Sequence, residues 1–230
     1  MRKSAVYNES FSRINPYARG VARDTMMGQV LGLLGFSFVF TALGAWLGTA
    51  LGPGAFLPAV VVTFGSIVAL YLVRDRAPLN LGLLYLLATA EGVTLGLILQ
   101  SYVTRGLGGI VIDAAATTAA ITFAAGAYGA TTRRDLSSLG GILFVGLIGV
   151  VVASLLGIFI HLPFLHLAIS LAAAAVFTGL LVYDFNRLAN TAAASLGDAV
   201  MMTVSIYLDI FNLFLNLLAI LQGLSGNNRD

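Results

Sequence analysis

Four acidic residues interrupt the long apolar segments of this sequence. They are Glu91, Asp113, Asp184 and Asp209, and no Lys or Arg lies in the core of any of these segments. A carboxylate in hydrocarbon costs roughly 3 kcal/mol, so such side chains face the interior of a helix bundle or a water-filled cavity. A membrane-spanning region whose ionisable groups are all acidic favours the binding or passage of cations or protons over that of anions.

Asp209 is the strongest candidate for a functional residue. It lies in the apolar stretch VMMTVSIYLDIFNLFLNLLAILQGL, residues 200–224, which exceeds the roughly 20 residues that a helix needs to cross a bilayer. Ser205 lies four residues before it, and Asn212 and Asn216 lie three and seven residues after it, so all four share one helix face. Hydrogen bonding between helices would explain the serine and the asparagines. It explains an ionisable aspartate less well.

Asp184 is the predicted partner of Asp209. It ends the preceding apolar segment, so both residues fall in the same half of the membrane if the two helices are neighbours. Burial and a like-charged neighbour both disfavour ionisation, and such a pair titrates as a unit. A cation could neutralise the pair instead of a proton. Together with the side-chain oxygens of Asn212 or Asn216, the carboxylates are hard ligands suited to Ca²⁺ or Mg²⁺.

Three other charged residues each keep two interpretations. Glu91, near the middle of the third apolar segment, is either a protonated acid held by a hydrogen bond or part of an ion pathway. Arg74, at the end of the second segment, is either an anchor at the membrane surface or an ion-pair partner of Asp184. Asp113 lies at the outer end of the fourth segment, where a carboxylate is solvated or placed at a helix N-terminus.

The composition shows which class of protein must position these residues. Of the 230 residues, 59% are hydrophobic and only 10% are charged, with a mean hydropathy of +0.96. Soluble domains average about 25% charged residues, so the sequence predicts an integral membrane protein. There are no cysteines, which excludes disulfides and thiolate metal sites. Residues 1–25 lack the apolar stretch of a signal peptide, so no cleavage is expected.

The apolar segments predict an all-α fold of seven transmembrane helices with the last helix in the centre of the bundle. A basic cytoplasmic arm, 1–25, precedes the transmembrane domain, 26–224, and a short tail, 225–230, follows it. The predicted spans are 26–48, 59–73, 79–100, 110–130, two within 139–183 and 200–224. The fifth and sixth spans are separated at His161–Leu162–Pro163, because proline interrupts a helix.

The distribution of basic residues predicts the orientation. With seven spans, ten of the twelve Lys and Arg residues fall on the side of the N-terminus. By the positive-inside rule the N-terminus is cytoplasmic and the C-terminus lies outside. Six spans plus a re-entrant segment would satisfy the charge count almost equally well, but the length of the last segment favours a full crossing.

The remaining motifs concern packing rather than chemistry. Three pairs of glycines spaced by four residues permit close helix approach, and we interpret them as internal packing contacts. They are Gly28 with Gly32, Gly44 with Gly48, and Gly92 with Gly96. The sequence contains no phosphate-binding loop, nucleophile–base pair or zinc signature. We therefore predict no enzyme activity, no cofactor and no nucleic-acid partner.

Three stretches resemble the Bax inhibitor family, the transmembrane Bax inhibitor motif proteins, in its bacterial type. They are TTRRDLSSLG before span five, GLLVYDFNRL at the end of span six, and SIYLDIFNLFLNLLAILQG in span seven. The resemblance implies a central last helix surrounded by six others. It also implies that Asp184 and Asp209 form a pH sensor controlling a Ca²⁺ leak. An arginine ending the second helix, Arg74 or the nearby Arg76, would pair with Asp184 in the closed form.

Two functions follow from these observations. The first is a pH-sensitive cation leak channel, with Ca²⁺ favoured over other ions, in a bacterial inner membrane. Protonation of the aspartate pair would weaken a latch between Asp184 and Arg74. The alternative comes from the resemblance, since some bacterial members bind and restrain a membrane-anchored AAA+ protease. In that case the protein is a non-transporting regulator that binds such a protease or a stress-response partner through the arm 1–25.

Overall fold

A computed structural model describes residues 16–226 apart from 133, 135, 158, 161 and 192–194. This part of the chain forms seven α-helices and no strand, and all seven are long and apolar enough to cross a membrane. The helices are α1 (Pro16–Leu51), α2 (Phe56–Val73), α3 (Leu79–Thr104), α4 (Gly108–Thr131), α5 (Ser137–Gly157), α6 (Pro163–Asn190) and α7 (Leu196–Gly226). The predicted all-α, seven-span fold is confirmed.

Short turns join most of these helices at positions that the sequence marks with glycine or proline. Gly52 and Gly106, in the turns after α1 and α3, have φ angles of 75° and 74°, which side chains other than that of glycine rarely adopt. Helix α6 begins with Pro163 in its first turn. Proline lacks a backbone N–H, but an N–H at this position has no hydrogen-bond partner within the helix in any case. The separation of the fifth and sixth spans at this proline is therefore as predicted.

Helix α7 lies in the centre of the bundle. It packs against α1, α3, α4 and α6, and half of its most apolar 18-residue stretch is buried, the largest such share of the seven helices. Ile206, Tyr207 and Leu213 are fully buried, as expected for a helix that is apolar on its flanks as well as on one face. Helix α5 is the opposite case, because Gly157 is its only buried residue and it packs mainly against α6.

Three helices are longer than the apolar pattern predicts, and the polar ends of two of them, α6 and α7, are stabilised locally. Helix α6 continues through residues 184–190 with Arg187 in its last turn, where a positive charge complements the helix dipole. Helix α7 begins at Leu196, where Ser195 and Asp198 form a reciprocal capping box: the Asp198 amide donates to Ser195 Oγ (3.1 Å), and the Ser195 amide donates to Asp198 Oδ2 (3.0 Å). Helix α1 begins at Pro16, so residues 16–25 of the predicted arm are helical. Residues 1–15 and 227–230 lie outside the described part.

The closest contact in the bundle joins α1 to α3 through four glycines. A methyl group on Gly44 or Gly48 would overlap the backbone of α3, and one on Gly92 or Gly96 would overlap the backbone of α1. These four glycines therefore serve internal packing, as predicted. Gly28 and Gly32 have the same spacing, but nothing lies within 4 Å of where their Cβ atoms would be. The packing interpretation is wrong for that pair.

Candidate functional site

A crevice runs along the side of α7 that its neighbours leave uncovered. Helix α2 packs mainly against α3, and α5 packs mainly against α6, so these two helices stand apart. The space between them has a volume of about 810 Å³ and is lined by residues of α2, α3, α5, α6 and α7. Its lining contains both apolar side chains and most of the ionisable residues that the sequence marks as candidates.

Two of the predicted acidic residues line this crevice. Asp209 is buried and Glu91 is partly buried, and they reach the same space from α7 and α3. Thr94 lies next to Glu91 and donates its hydroxyl to the Glu91 backbone carbonyl (2.7 Å). Thr63 of α2 adds a buried hydroxyl that has no hydrogen-bond partner among the described residues. The crevice therefore carries carboxyl and hydroxyl groups within a mainly apolar lining.

Asp184 lies next to Asp209, as predicted, but does not line the crevice. The two carboxylates are close enough to repel each other electrostatically, and the Ser205 side chain lies beside Asp184. One oxygen of each carboxylate, Oδ2, is buried without a hydrogen-bond partner within the described residues. An unpaired buried polar atom costs about 1–3 kcal/mol. A proton or a cation shared by the pair would remove this cost.

The two asparagines of α7 are placed less uniformly. Asn212 lines the crevice next to Asp209, whereas Asn216 does not. Both donate their amide groups to their own helix: Asn212 to the Leu208 carbonyl and Asn216 to the Asn212 carbonyl, each at 2.8 Å. Asn212 is thus the asparagine that shares the crevice with Asp209.

Arg74 lines the crevice, but it does not form the predicted ion pair with Asp184. Its Nη2 atom lies 2.8 Å from Asp198 Oδ1, and its Nε atom lies 3.6 Å from Asp75 Oδ1. The reason is depth, because Asp184 lies six residues before the end of α6, about 9 Å into the bundle. Asp198 is in the first turn of α7, level with the end of α2. Arg76 is exposed and is not part of the lining, so of the two arginines only Arg74 can close this mouth.

The contact between Arg74 and α7 is reinforced by the backbone around it. Asn80, which is almost completely buried, donates its side-chain amide to the Arg74 carbonyl (2.7 Å). A Cβ on Gly197 would lie 2.5 Å from the same carbonyl oxygen. The turn between α2 and α3 is therefore held tightly against the start of α7, at one mouth of the crevice.

Two residues are not identified from the sequence: Asp198, which lines the crevice, and Tyr207, which does not. Asp198 falls between the predicted spans, although Ser195-x-x-Asp198 before an apolar run is a capping-box signal that places it at a helix start. Tyr207 is fully buried, and its hydroxyl lies 2.8 Å from Thr41 Oγ1 of α1. No spacing in the sequence indicates this contact, because it joins residues 166 positions apart.

The remaining acid, Asp113, is exposed near the start of α4 and takes no part in the crevice. Within the described residues, no group of three or more His, Cys, Asp or Glu side chains is arranged to hold a metal ion. Ca²⁺ takes about six to eight oxygen ligands. The pair Asp184–Asp209 alone supplies fewer ligands than this.

Comparison with known proteins relates this architecture to a family. Residues 23–227 match the family described as "Inhibitor of apoptosis-promoting Bax1". The chain is 31% identical to the "Modulator of FtsH protease YccA" of Escherichia coli K12, over 82% of this chain and 85% of that protein. It is 32% identical to an uncharacterized membrane protein of Vibrio cholerae, over 95% and 97% of the two chains. It is 34% identical to the Golgi anti-apoptotic protein of vaccinia virus (strain Lister), over 74% and 69%.

The match covers all seven membrane-spanning helices and includes the segments that carry Asp184 and Asp209. This integral membrane protein belongs to the Bax inhibitor family.

Proposed function

We propose that this protein modulates a membrane-anchored AAA+ protease. The observation that supports this function is its similarity to the Escherichia coli protein named as a modulator of FtsH protease, over more than four-fifths of both chains. The described residues of this chain are almost all membrane helices and short turns. A protease partner would therefore be contacted through the membrane helices or through the segment before α1.

The segment 1–15 is the part of the chain best suited to a regulated contact. It carries Arg2, Lys3 and Arg13 against the single acid Glu9, and it joins α1 directly. A short basic segment of this kind can bind an acidic surface of a partner near the membrane. The contact would be electrostatic, so it would weaken as salt concentration rises.

Co-purification from membranes of the native bacterium tests this proposal. The full chain is expected to retain the protease, whereas deletion of residues 1–15, or replacement of Arg2, Lys3 and Arg13 by Gln, is expected to reduce the amount retained severalfold. Arg105→Gln is the matched control, because it removes one positive charge at the other end of the bundle. Equal retention of the protease by a chain with and without the segment would contradict this mode of contact.

The crevice supports a second candidate function, a pathway for cations with Ca²⁺ favoured. The observation behind it is that Asp209 and Glu91 line one continuous space, with Asp184 directly behind Asp209. Protonation at low pH would discharge the pair and change how strongly it holds a cation or the surrounding helices. We therefore expect the leak to depend on pH, and Asp184→Asn to flatten this dependence.

Purified protein in liposomes loaded with a Ca²⁺-sensitive dye tests the pathway. Asp209→Asn keeps the side-chain shape but removes the charge, and we expect it to change the leak about tenfold, which corresponds to roughly 1.4 kcal/mol in the energy of the conducting state. Asp113→Asn is the control, because this carboxylate is exposed and lies outside the crevice. Equal leak from the unmodified protein, Asp209→Asn and empty liposomes would eliminate the pathway without affecting the protease proposal.

A further inference from the structure

A second, smaller pocket lies at the end of the bundle that carries Arg74, Arg76, Arg134 and Arg187, here called the basic end. Its volume is about 480 Å³, and it is bounded by the end of α4, the start of α5 and the end of α6. All of the described residues that line it are polar, and none of those is acidic. They are Thr132, Arg134, Ser137, Tyr183, Asn186, Arg187, Asn190 and Thr191.

Arg134 and Arg187, the two arginines that line this pocket, differ from Arg74 because neither has an ion-pair partner among the described residues. Arg74 is paired with Asp198, but neither the Arg134 nor the Arg187 side chain has a salt bridge or a hydrogen bond to any described residue. Arg187 is attracted electrostatically by Asp184 and Asp198 without pairing with either. Both arginines are exposed, so their guanidinium groups remain available to an anion that enters the pocket.

The walls of this pocket are held by specific contacts. Asn186 is buried and donates its side-chain amide to the Gly129 carbonyl (3.1 Å), which joins α6 to α4. On the other side, Gly140 of α5 leaves room for the Tyr183 ring, since a Cβ there would lie 2.7 Å from the ring. The Tyr183 hydroxyl also has no hydrogen-bond partner in the described part of the chain. The pocket thus combines a fixed shape with two cationic donors and one neutral donor.

We propose that this pocket binds a phosphate group, supplied by the headgroup of an anionic lipid. Guanidinium groups bind phosphate oxygens in a planar, bidentate manner, and neither arginine is held in an ion pair by a described acidic residue. The pocket lies at helix ends, which is the depth of lipid headgroups, and basic pockets between helices at this level recognise anionic lipids. Free inorganic phosphate shares the same chemistry and is the other source to be tested. The proposal is independent of the proposed function.

Binding of short-chain lipids to the purified full chain tests this assignment. Dihexanoyl-phosphatidylglycerol is compared with dihexanoyl-phosphatidylcholine and with inorganic phosphate, for the unmodified chain and for Arg134→Gln, Arg187→Gln and the double variant. Each arginine near a membrane surface contributes an attraction that corresponds to about fivefold in affinity. We therefore expect about fivefold weaker binding of phosphatidylglycerol for each single variant and more than tenfold for the double variant.

Arg76→Gln is the matched control, because it removes the same charge at the same end of the bundle from an exposed residue outside the pocket. It should leave phosphatidylglycerol binding within about twofold of the unmodified chain. Arg134→Lys should retain part of the affinity, since lysine keeps the charge but not the bidentate geometry. Arg134 lies in a turn, so its variants keep the test usable even if Arg187→Gln fails to fold.

Three results would overturn the proposal or change the source of the phosphate. Equal loss of binding in Arg76→Gln and Arg134→Gln would show only a diffuse surface charge effect. Equal binding of phosphatidylglycerol and phosphatidylcholine by the unmodified chain would show that the phosphate is not recognised at all. Tight binding of inorganic phosphate that depends on both arginines, without preference for phosphatidylglycerol, would assign the pocket to free phosphate and overturn the lipid assignment.

Discussion

The two sides of α7 differ in how closely the surrounding helices pack. On one side, α1 and α3 meet through Gly44, Gly48, Gly92 and Gly96, and their backbones touch. On the other side, α2 and α5 stand apart and leave an acid-lined crevice of about 810 Å³. Small residues let helices pack in a membrane, where apolar burial against lipid supplies little driving force. The comparison indicates that one side is closely packed and that the acidic candidate residues Asp209 and Glu91 border the open side.

The largest expected effect of a single substitution is on the packed side. Alanine usually stabilises a helix relative to glycine by about 1 kcal/mol, but at Gly96 its Cβ would overlap the backbone around Ala45. Overpacking of this kind costs typically about 1–3 kcal/mol. We expect Gly96→Ala to lower the melting temperature by roughly 5 °C, as measured by thermal unfolding in detergent.

Gly32→Ala is the control for that experiment, because nothing lies within 4 Å of the added methyl group. Its melting temperature should stay the same or rise slightly. If both variants melt at the same temperature, the contact between α1 and α3 does not hold the bundle together, and the contrast between the two sides fails.

The second prediction compares the access of water to the two sides. The chain has no cysteine, so a single introduced thiol reports on one position alone. Ser205 lines the crevice, whereas Ser37 of α1 has no exposed surface. A small water-soluble thiol reagent is expected to modify Ser205→Cys at least about tenfold faster than Ser37→Cys, since solvation of the crevice gives access to the first thiol only. Equal rates would mean that the crevice is dry.

A smaller effect is expected at the mouth of the crevice. The pair Arg74–Asp198 is about half exposed, and such pairs contribute about 0.2–1 kcal/mol, so Arg74→Ala should change the melting temperature little. It removes a side chain from the lining, however, and we expect the thiol at position 205 to react about twofold to fivefold faster. Arg76→Ala, outside the lining, should leave the rate unchanged. A faster reaction in both variants would exclude Arg74 as the residue that closes the mouth.

The sequence predicts the spans and the central helix because both depend on local apolar pattern. The sequence also places Asp209 and Asp184 together, because the two residues lie on consecutive helices, each in the half that adjoins the connecting turn. The partner of Arg74 could not be predicted, because it depends on how deep each residue lies when α2 meets α7. The glycine spacing of Gly28 and Gly32 equals that of Gly44 and Gly48, yet only the second pair faces another helix. Spacing shows that close approach is possible, and tertiary structure decides where it occurs.

The proposed function depends on an effect on proteolysis, and the rate of proteolysis tests it most directly. The membrane-anchored AAA+ protease of the native bacterium is reconstituted in liposomes with a membrane substrate, with and without this protein. The account predicts that the full chain slows degradation and that the chain lacking residues 1–15 has little effect. Asp209→Asn should slow degradation as much as the unmodified chain, because the crevice that Asp209 lines is not the proposed contact with the protease. A degradation rate that is the same with and without the full chain would contradict the account.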